Sequence, residues 1–160
     1  MMQLLTGMYN VKIDDKGRLS LPSRLRSSLS TEQVVVLPGL DGNHMMLMRP
    51  EYFEKEFSEP ILSSPMAMLD KTKRTLIRKL ISPAVYIAID GSGRINIPQE
   101  SRERYGLPNS SEALLVGTGY AIEIWNPRTF DDFCGDDSAV GIGGGFDQCC
   151  RESSCGEMGF

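Results

Sequence analysis

Two stretches of this chain repeat one another at a distance of seventy-six residues: IDDKGRLSLPSRLR at 13–26 and IDGSGRINIPQESR at 89–102. They share six identities (the Ile, Asp, Gly, Arg, Pro and final Arg), and Leu19/Ile95 and Leu21/Ile97 are conservative pairs. The likeness continues in VVVLPGLDGNHMMLMRPEYFEKEF (34–57) and ALLVGTGYAIEIWNPRTFDDF (113–133). Each of these reads as strand, glycine turn, strand and a proline-opened aromatic helix. A duplication of this kind restricts the fold more than any composition does, because both copies must adopt one local structure.

Within a copy the periodicity is that of half-buried strands. Tyr9, Val11 and Ile13 alternate with Asn10, Lys12 and Asp14, and Val85, Ile87 and Ile89 form the matching run. Leu19 and Leu21 then alternate with Arg18 and Ser20, as Ile95 and Ile97 do with Arg94 and Asn96. Three residues containing Gly17 or Gly93 separate each Asp from its Arg, spacing that predicts a hairpin with glycine at positive φ. Pro22 and Pro98 suit the first turn of a helix, Leu25 and Leu29 fall one helical turn apart, and Gly106 stops the second helix. Pro50 and Pro127 open short helices whose Tyr52, Phe53, Phe57, Phe130 and Phe133 cap the core.

Between the copies, SPMAMLDKTKRTLIRKLISPA predicts an amphipathic helix started by Ser64 and Pro65 and stopped by Pro83. Leu69, Leu76, Ile77, Leu80 and Ile81 line one face, with Lys71, Lys73, Arg74, Arg78 and Lys79 around the rest. The basic side reads as a solvated surface, with a phosphate-facing surface as the alternative.

Composition excludes several classes. The 160 residues suffice for one domain or two small fused ones. No apolar run approaches the roughly 20 residues of a bilayer span. The opening MMQLLTGMYNVKID turns polar too soon for a secretory signal, so the expected location is the cytoplasm. Residues 131–160 hold seven acids against one base, Arg151, a net −6, while the other 130 residues carry 16 bases and 14 acids. That near-neutral body neither argues for nucleic-acid binding nor excludes it. Cys134, Cys149, Cys150 and Cys155 all fall in the acidic segment, so no disulfide framework holds the fold, and their spacing does not match a paired zinc motif. With GIGGG at 141–145, the segment reads as a flexible exposed tail.

Catalysis is not expected. The sole histidine, His44, has no evident partner for a nucleophilic triad, and DGSG does not match a phosphate-cradling loop. Adjacent Asp14 and Asp15 would point to opposite faces of a strand, a poor acid/base pair. No metal, cofactor, small-molecule substrate or membrane partner is expected either.

The chemistry sits in the turns. On strand parity Asp14, Arg18, Asp90 and Arg94 point away from the apolar face. An Asp at the entrance of a glycine turn accepts hydrogen bonds from loop N–H groups and holds an Arg at the exit with its guanidinium outward. A turn-closing ion pair would explain one such turn. Both copies keep Arg rather than Lys, however, and only Arg offers a planar fork to a phosphate or a guanine edge. Lys12, Lys16, Arg18, Arg24 and Arg26 make the densest basic cluster in either copy.

DDKGR and DGSGR, preceding LSLP and INIP, with IEIWNP closing the second copy, resemble the MraZ family of bacterial transcriptional regulators. That family is built from two tandem domains similar to AbrB and stage V sporulation protein T, and the likeness covers roughly residues 7–133. It implies a mainly β fold with short helices (α+β), a double-split β-barrel made by two tandem AbrB-like repeats. It also implies a homo-oligomeric ring that binds repeated DNA sites upstream of the operon for cell division and cell-wall synthesis, in the cytoplasm and associated with the nucleoid. Carried onto this chain, the resemblance gives DNA contact to Gly17, Arg18 and Arg94, with Lys16 at the family's frequent Lys position. Asp14, Asp90 and Gly93 shape the turns, and the cluster reading adds Arg24 and Arg26 to the contact surface. Ser92 stands where the family commonly has Lys or Gln, so DDKGR is expected to be the principal contact and DGSGR its structural partner. The expected organisation is a first SpoVT-AbrB domain at 7–53, a linker with the basic helix at 54–82, a second domain at 83–126, and a short helix with the tail at 127–160. The competing readings are an antitoxin-like protein-interaction module and an oligomeric scaffold in which the turns only close the ring.

Overall fold

A computed structural model describes residues 3–66 and 68–136; most of the expected acidic tail, with Cys149, Cys150 and Cys155, lies outside the described residues. The first copy supplies strands β1 (Met8–Lys12) and β2 (Arg18–Ser20), helix α1 (Ser23–Leu29), and strands β3 (Gln33–Pro38) and β4 (Met45–Met48). A helical run follows, made of α2 (Pro50–Tyr52), a wider π-helical turn (Phe53–Ser58) and α3 (Glu59–Leu62). Then come α4 (Lys71–Leu76), which widens into a second π-helical turn (Ile77–Ile81), β5 (Val85–Ala88), β6 (Arg94–Asn96) and α5 (Gln99–Arg104). Strands β7 (Glu112–Gly117) and β8 (Ala121–Trp125) and helix α6 (Pro127–Asp136) complete the described chain.

The fold is mainly antiparallel β with short helices, an α+β arrangement. Six strands form one sheet in the order β1-β7-β8-β4-β3-β5, and β2 and β6 form a separate two-stranded ribbon. Among the described residues these ladders do not close into a barrel.

The two copies are interleaved. β1 pairs with β7, and β5 with β3, so each copy lends its first strand to the other copy's second hairpin. This corrects the hairpin expected around each Asp-to-Arg turn. The turn does close, with Asp14 N donating to Arg18 O at 2.9 Å and a single bridge between Ile13 and Leu19. Beyond that bridge the arms part, and β2 pairs with β6 of the other copy. The physical reason is burial: Leu19 and Ile95, directly opposite one another, are 0% and 1% exposed between the ribbon and the large sheet.

Strand alternation divides the apolar residues between two faces. Val34, Val36, Met45, Leu47, Leu115 and Ile124 pack with Leu19 and Ile95 in the main core. Val35, Leu37, Met46 and Met48 face the other way and are covered by Phe53 and Leu80. α6 covers the same side further along, where Trp125 meets Phe130 edge-on at 5.3 Å. Both faces of β3 and β4 are thus buried, which is why those strands read as continuous apolar runs.

Helix starts follow local chemistry. α1 and α5 begin directly after Pro22 and Pro98. Gly106, at φ +71, ends α5 in a Schellman arrangement: its N–H reaches Glu103 O and the Leu107 N–H reaches Arg102 O. The linking helix, expected from Ser64, starts instead at Lys71. There Asp70 Oδ1 accepts from Thr72 N (2.8 Å) and Lys73 N (3.4 Å), a stronger N-cap than Ser64 provides. Its apolar stripe is correspondingly shorter: Leu80 is buried and Ile77 and Ile81 half-buried, but Leu69 and Leu76 are exposed. Among the described residues no helix is long and apolar enough to cross a membrane.

Candidate nucleic-acid interface

The two motif turns are built alike. Asp14 Oδ1 accepts from Lys16 N (2.9 Å) and Arg18 N (2.8 Å), while its Oδ2 accepts from Arg18 Nε (2.8 Å). Asp90 repeats this with Ser92 N (2.8 Å), Arg94 N (2.9 Å) and Arg94 Nε (3.2 Å). Hydrogen bonds to the ionised form stabilise it, so each carboxyl lies below the ordinary aspartate range. For Asp14 the Arg18 backbone N–H is the foremost cause, and for Asp90 that of Arg94. Among the described residues only Nε of each arginine is engaged by its aspartate, so the two Nη groups of Arg18 and of Arg94 are free to meet a ligand. The chain reverses at Gly17 (φ +83) and Gly93 (φ +77), where an L side chain would be strained.

Each turn rests on an arginine from the other copy. A Cβ on Gly17 would collide with Arg102 Nη2, and one on Gly93 with Arg26 Nη1. These are the two arginines that end the duplicated stretches. Arg102 is buried and bonds Ile97 O (3.1 Å), Leu107 O (3.2 Å) and Asn109 Oδ1 (2.9 Å). Asn109 Nδ2 continues to Asp15 O at 3.0 Å, stitching the first turn to the second copy. Arg26 is exposed and belongs with the Gly93 turn, away from the Lys16 tip where the cluster reading had grouped it. Lys16 is exposed at the first turn and Arg24 on the outer side of α1.

The ribbon brings the two motifs together. Arg18 is opposite Asn96 and Ser20 opposite Arg94, so all four side chains share the face away from Leu19 and Ile95. Diagonal neighbours of this kind stand about 7–8 Å apart. The result is a polar two-stranded ribbon with two partly free guanidinium groups on one side and Lys16 at its edge. Neither the diagonal placement of the arginines nor the bracing by Arg102 and Asn109 was foreseen from the sequence. The retained final Arg in both copies was the available signal for the brace.

The family described as "MraZ protein, putative antitoxin-like" matches residues 4–76 and 80–141, extending past Phe133, the end of the likeness legible in the motifs. A Treponema denticola protein called transcriptional regulator MraZ is 32% identical over 130 residues, which is 81% of this chain and 86% of that one. A protein of the same name from Mesoplasma florum is 31% identical over 135 residues, 84% of this chain and 88% of that one. Paired glycine turns, a repeat that runs the length of the match and relatives aligned over most of both chains lead to one conclusion. The chain belongs to the MraZ family.

Proposed function

We propose that the protein is a DNA-binding transcriptional regulator, not an enzyme, and that the outward face of the β2–β6 ribbon is its contact surface. The observation that carries this is the placement of Arg18 and Arg94 on one face of an exposed two-stranded ribbon. A B-DNA major groove admits such a ribbon, and an outward guanidinium matches a guanine edge or a phosphate. The names of the relatives support the regulatory role. Lys16, Gly17, Arg18 and Arg94 are the proposed contacts, flanked by Arg24 and Arg26, with Asp14, Asp90 and Gly93 holding the turns. In this reading the ribbon and large sheet are the parts of a double-split barrel shared by tandem domains at 7–53 and 83–126. The assembly is a homo-oligomeric ring on repeated promoter sites of a cell-division and cell-wall gene cluster, in the nucleoid-bearing cytoplasm. A ring suits the modest charge of one ribbon, because linked copies gain by effective concentration.

The test is a gel-shift salt titration on DNA from the upstream region, using wild type, Arg18→Ala, Arg94→Ala and the double variant. Each single change should weaken binding by about 1–3 kcal/mol if a base contact is lost, or lower the salt slope by about one if a phosphate contact is lost. Both variants binding as wild type, with unchanged slope, would sink the proposal.

A second reading is favoured by large exposed apolar side chains at Leu62, Met66 and Leu69 in the linking segment. They fit a protein-interaction surface, as the antitoxin-like description of the family suggests. A stoichiometric protein partner in place of DNA, lost on Met66→Ser with Leu69→Ser, would select it.

A further inference from the structure

His44 is fully buried, stacked on Trp125 with ring centroids 4.3 Å apart. Gly39 has no room for a side chain because the imidazole packs against its Cα. His44 Nδ1 lies 3.1 Å from Met45 O. A carbonyl oxygen only accepts, so Nδ1 carries the proton of that bond, which in the neutral tautomer leaves Nε2 with a lone pair. Nε2 has no hydrogen-bond partner. It faces Asp41 Oδ2 at 3.5 Å and Glu123 Oε2 at 3.7 Å.

At these separations Nε2 makes no hydrogen bond. The two separations from Nε2 are those of ligands sharing one small cation. Ligands about 2.1 Å from a tetrahedral ion stand roughly 3.4 Å from each other. The three candidate ligand atoms all lie within 4.8 Å of one another. The surroundings are those of a built site. The Met45 carbonyl fixes the imidazole tautomer, and Trp125 Nε1 donates to Glu123 Oε1 at 2.9 Å, leaving the other carboxylate oxygen for the ion. Asp41 is half exposed, which opens the site to solvent on that side.

We propose that Asp41, His44 and Glu123 bind a first-row divalent cation of the zinc, cobalt and nickel group, whose affinity for mixed imidazole and carboxylate donors is high. The ion clasps the β3–β4 loop of the first copy to β8 of the second. Binding the site assembled in the folded chain, it raises the melting temperature with ion concentration, less what cysteine binding gives the unfolded chain. This site is separate from the ribbon and does not depend on DNA binding.

Trp125 is the chain's single tryptophan and reports on the site directly. Cobalt(II) is titrated into the full chain while tryptophan emission and the near-ultraviolet thiolate-to-cobalt band are followed, since the tail cysteines are rival ligands. Wild type should show saturable quenching at one ion per chain that does not track the thiolate band. Asp41→Asn and Glu123→Gln should each weaken it about tenfold or more. Zinc should raise the melting temperature of wild type more than that of the variants. Absent quenching, quenching that follows the thiolate band, or equal affinity in Asp41→Asn would overturn the proposal. Asp41 is in an exposed loop, so its variant decides the matter even if Glu123→Gln folds poorly.

Discussion

Gly17 and Gly42 share a left-handed backbone, at φ +83 and +85, but not a neighbourhood. A Cβ on Gly42 meets nothing within 4 Å, whereas one on Gly17 runs into Arg102. Gly42→Ala should therefore cost only the left-handed strain of about 1–2 kcal/mol. Gly17→Ala adds displacement of a buried, hydrogen-bonded guanidinium and should cost clearly more, read as a lower denaturant midpoint. Equal losses would mean that Arg102 gives way freely. The aspartates of the turns make a prediction about pH. Their folded pKa values are depressed, so their contribution to stability is complete above the unfolded value of about 3.9 and fades as the pH falls through the lower folded values. Carboxyl carbon shifts of Asp14 and Asp90 should titrate below the ordinary aspartate midpoint in wild type. In the Arg18→Ala and Arg94→Ala proteins a smaller depression should remain, because the backbone N–H bonds persist.

Which elements form was largely legible, because each is announced by local chemistry. The alternation around Ile13 and Ile89, the prolines before α1 and α5, and Gly106 after α5 all have neighbours in sequence as their physical cause. The start of α4 is ambiguous in sequence because Ser64-Pro65 and Asp70 both carry start signals, and only the capping bonds of Asp70 distinguish them. Pairing was less legible still. Asp14–Arg18 spacing describes a closing turn correctly, but whether the arms continue as a hairpin depends on where Leu19 finds cover. That cover comes from Ile95, seventy-six residues on. The site divides the same way. The turn chemistry of Asp14, Gly17 and Arg18 could be read from five consecutive residues, whereas the brace from Arg102 and Asn109, and the seat of His44 between Asp41 and Glu123, are products of the assembled fold.

At the scale of the molecule, the sheet is completed only between the copies, neither of which holds all its partners. Fragments 1–82 and 83–160 each lack the strand that completes their sheet, since β1 belongs with β7 and β5 with β3. Expressed separately, each should show unfolded circular dichroism and poor amide dispersion; mixed, they should recover native spectra. A fragment that folds alone as a monomer would contradict the interleaved ladder.

The same interleaving reaches into synthesis on the ribosome. One hundred residues separate Lys12 from its partner Glu112. At about 5–20 residues per second, that is roughly 5–20 s during which the nascent chain carries β1 with nothing to pair against. The open ladder edge could in that interval be met by a chaperone or by the strand of a neighbouring nascent copy. The six-stranded sheet is complete only when β7 and β8 emerge.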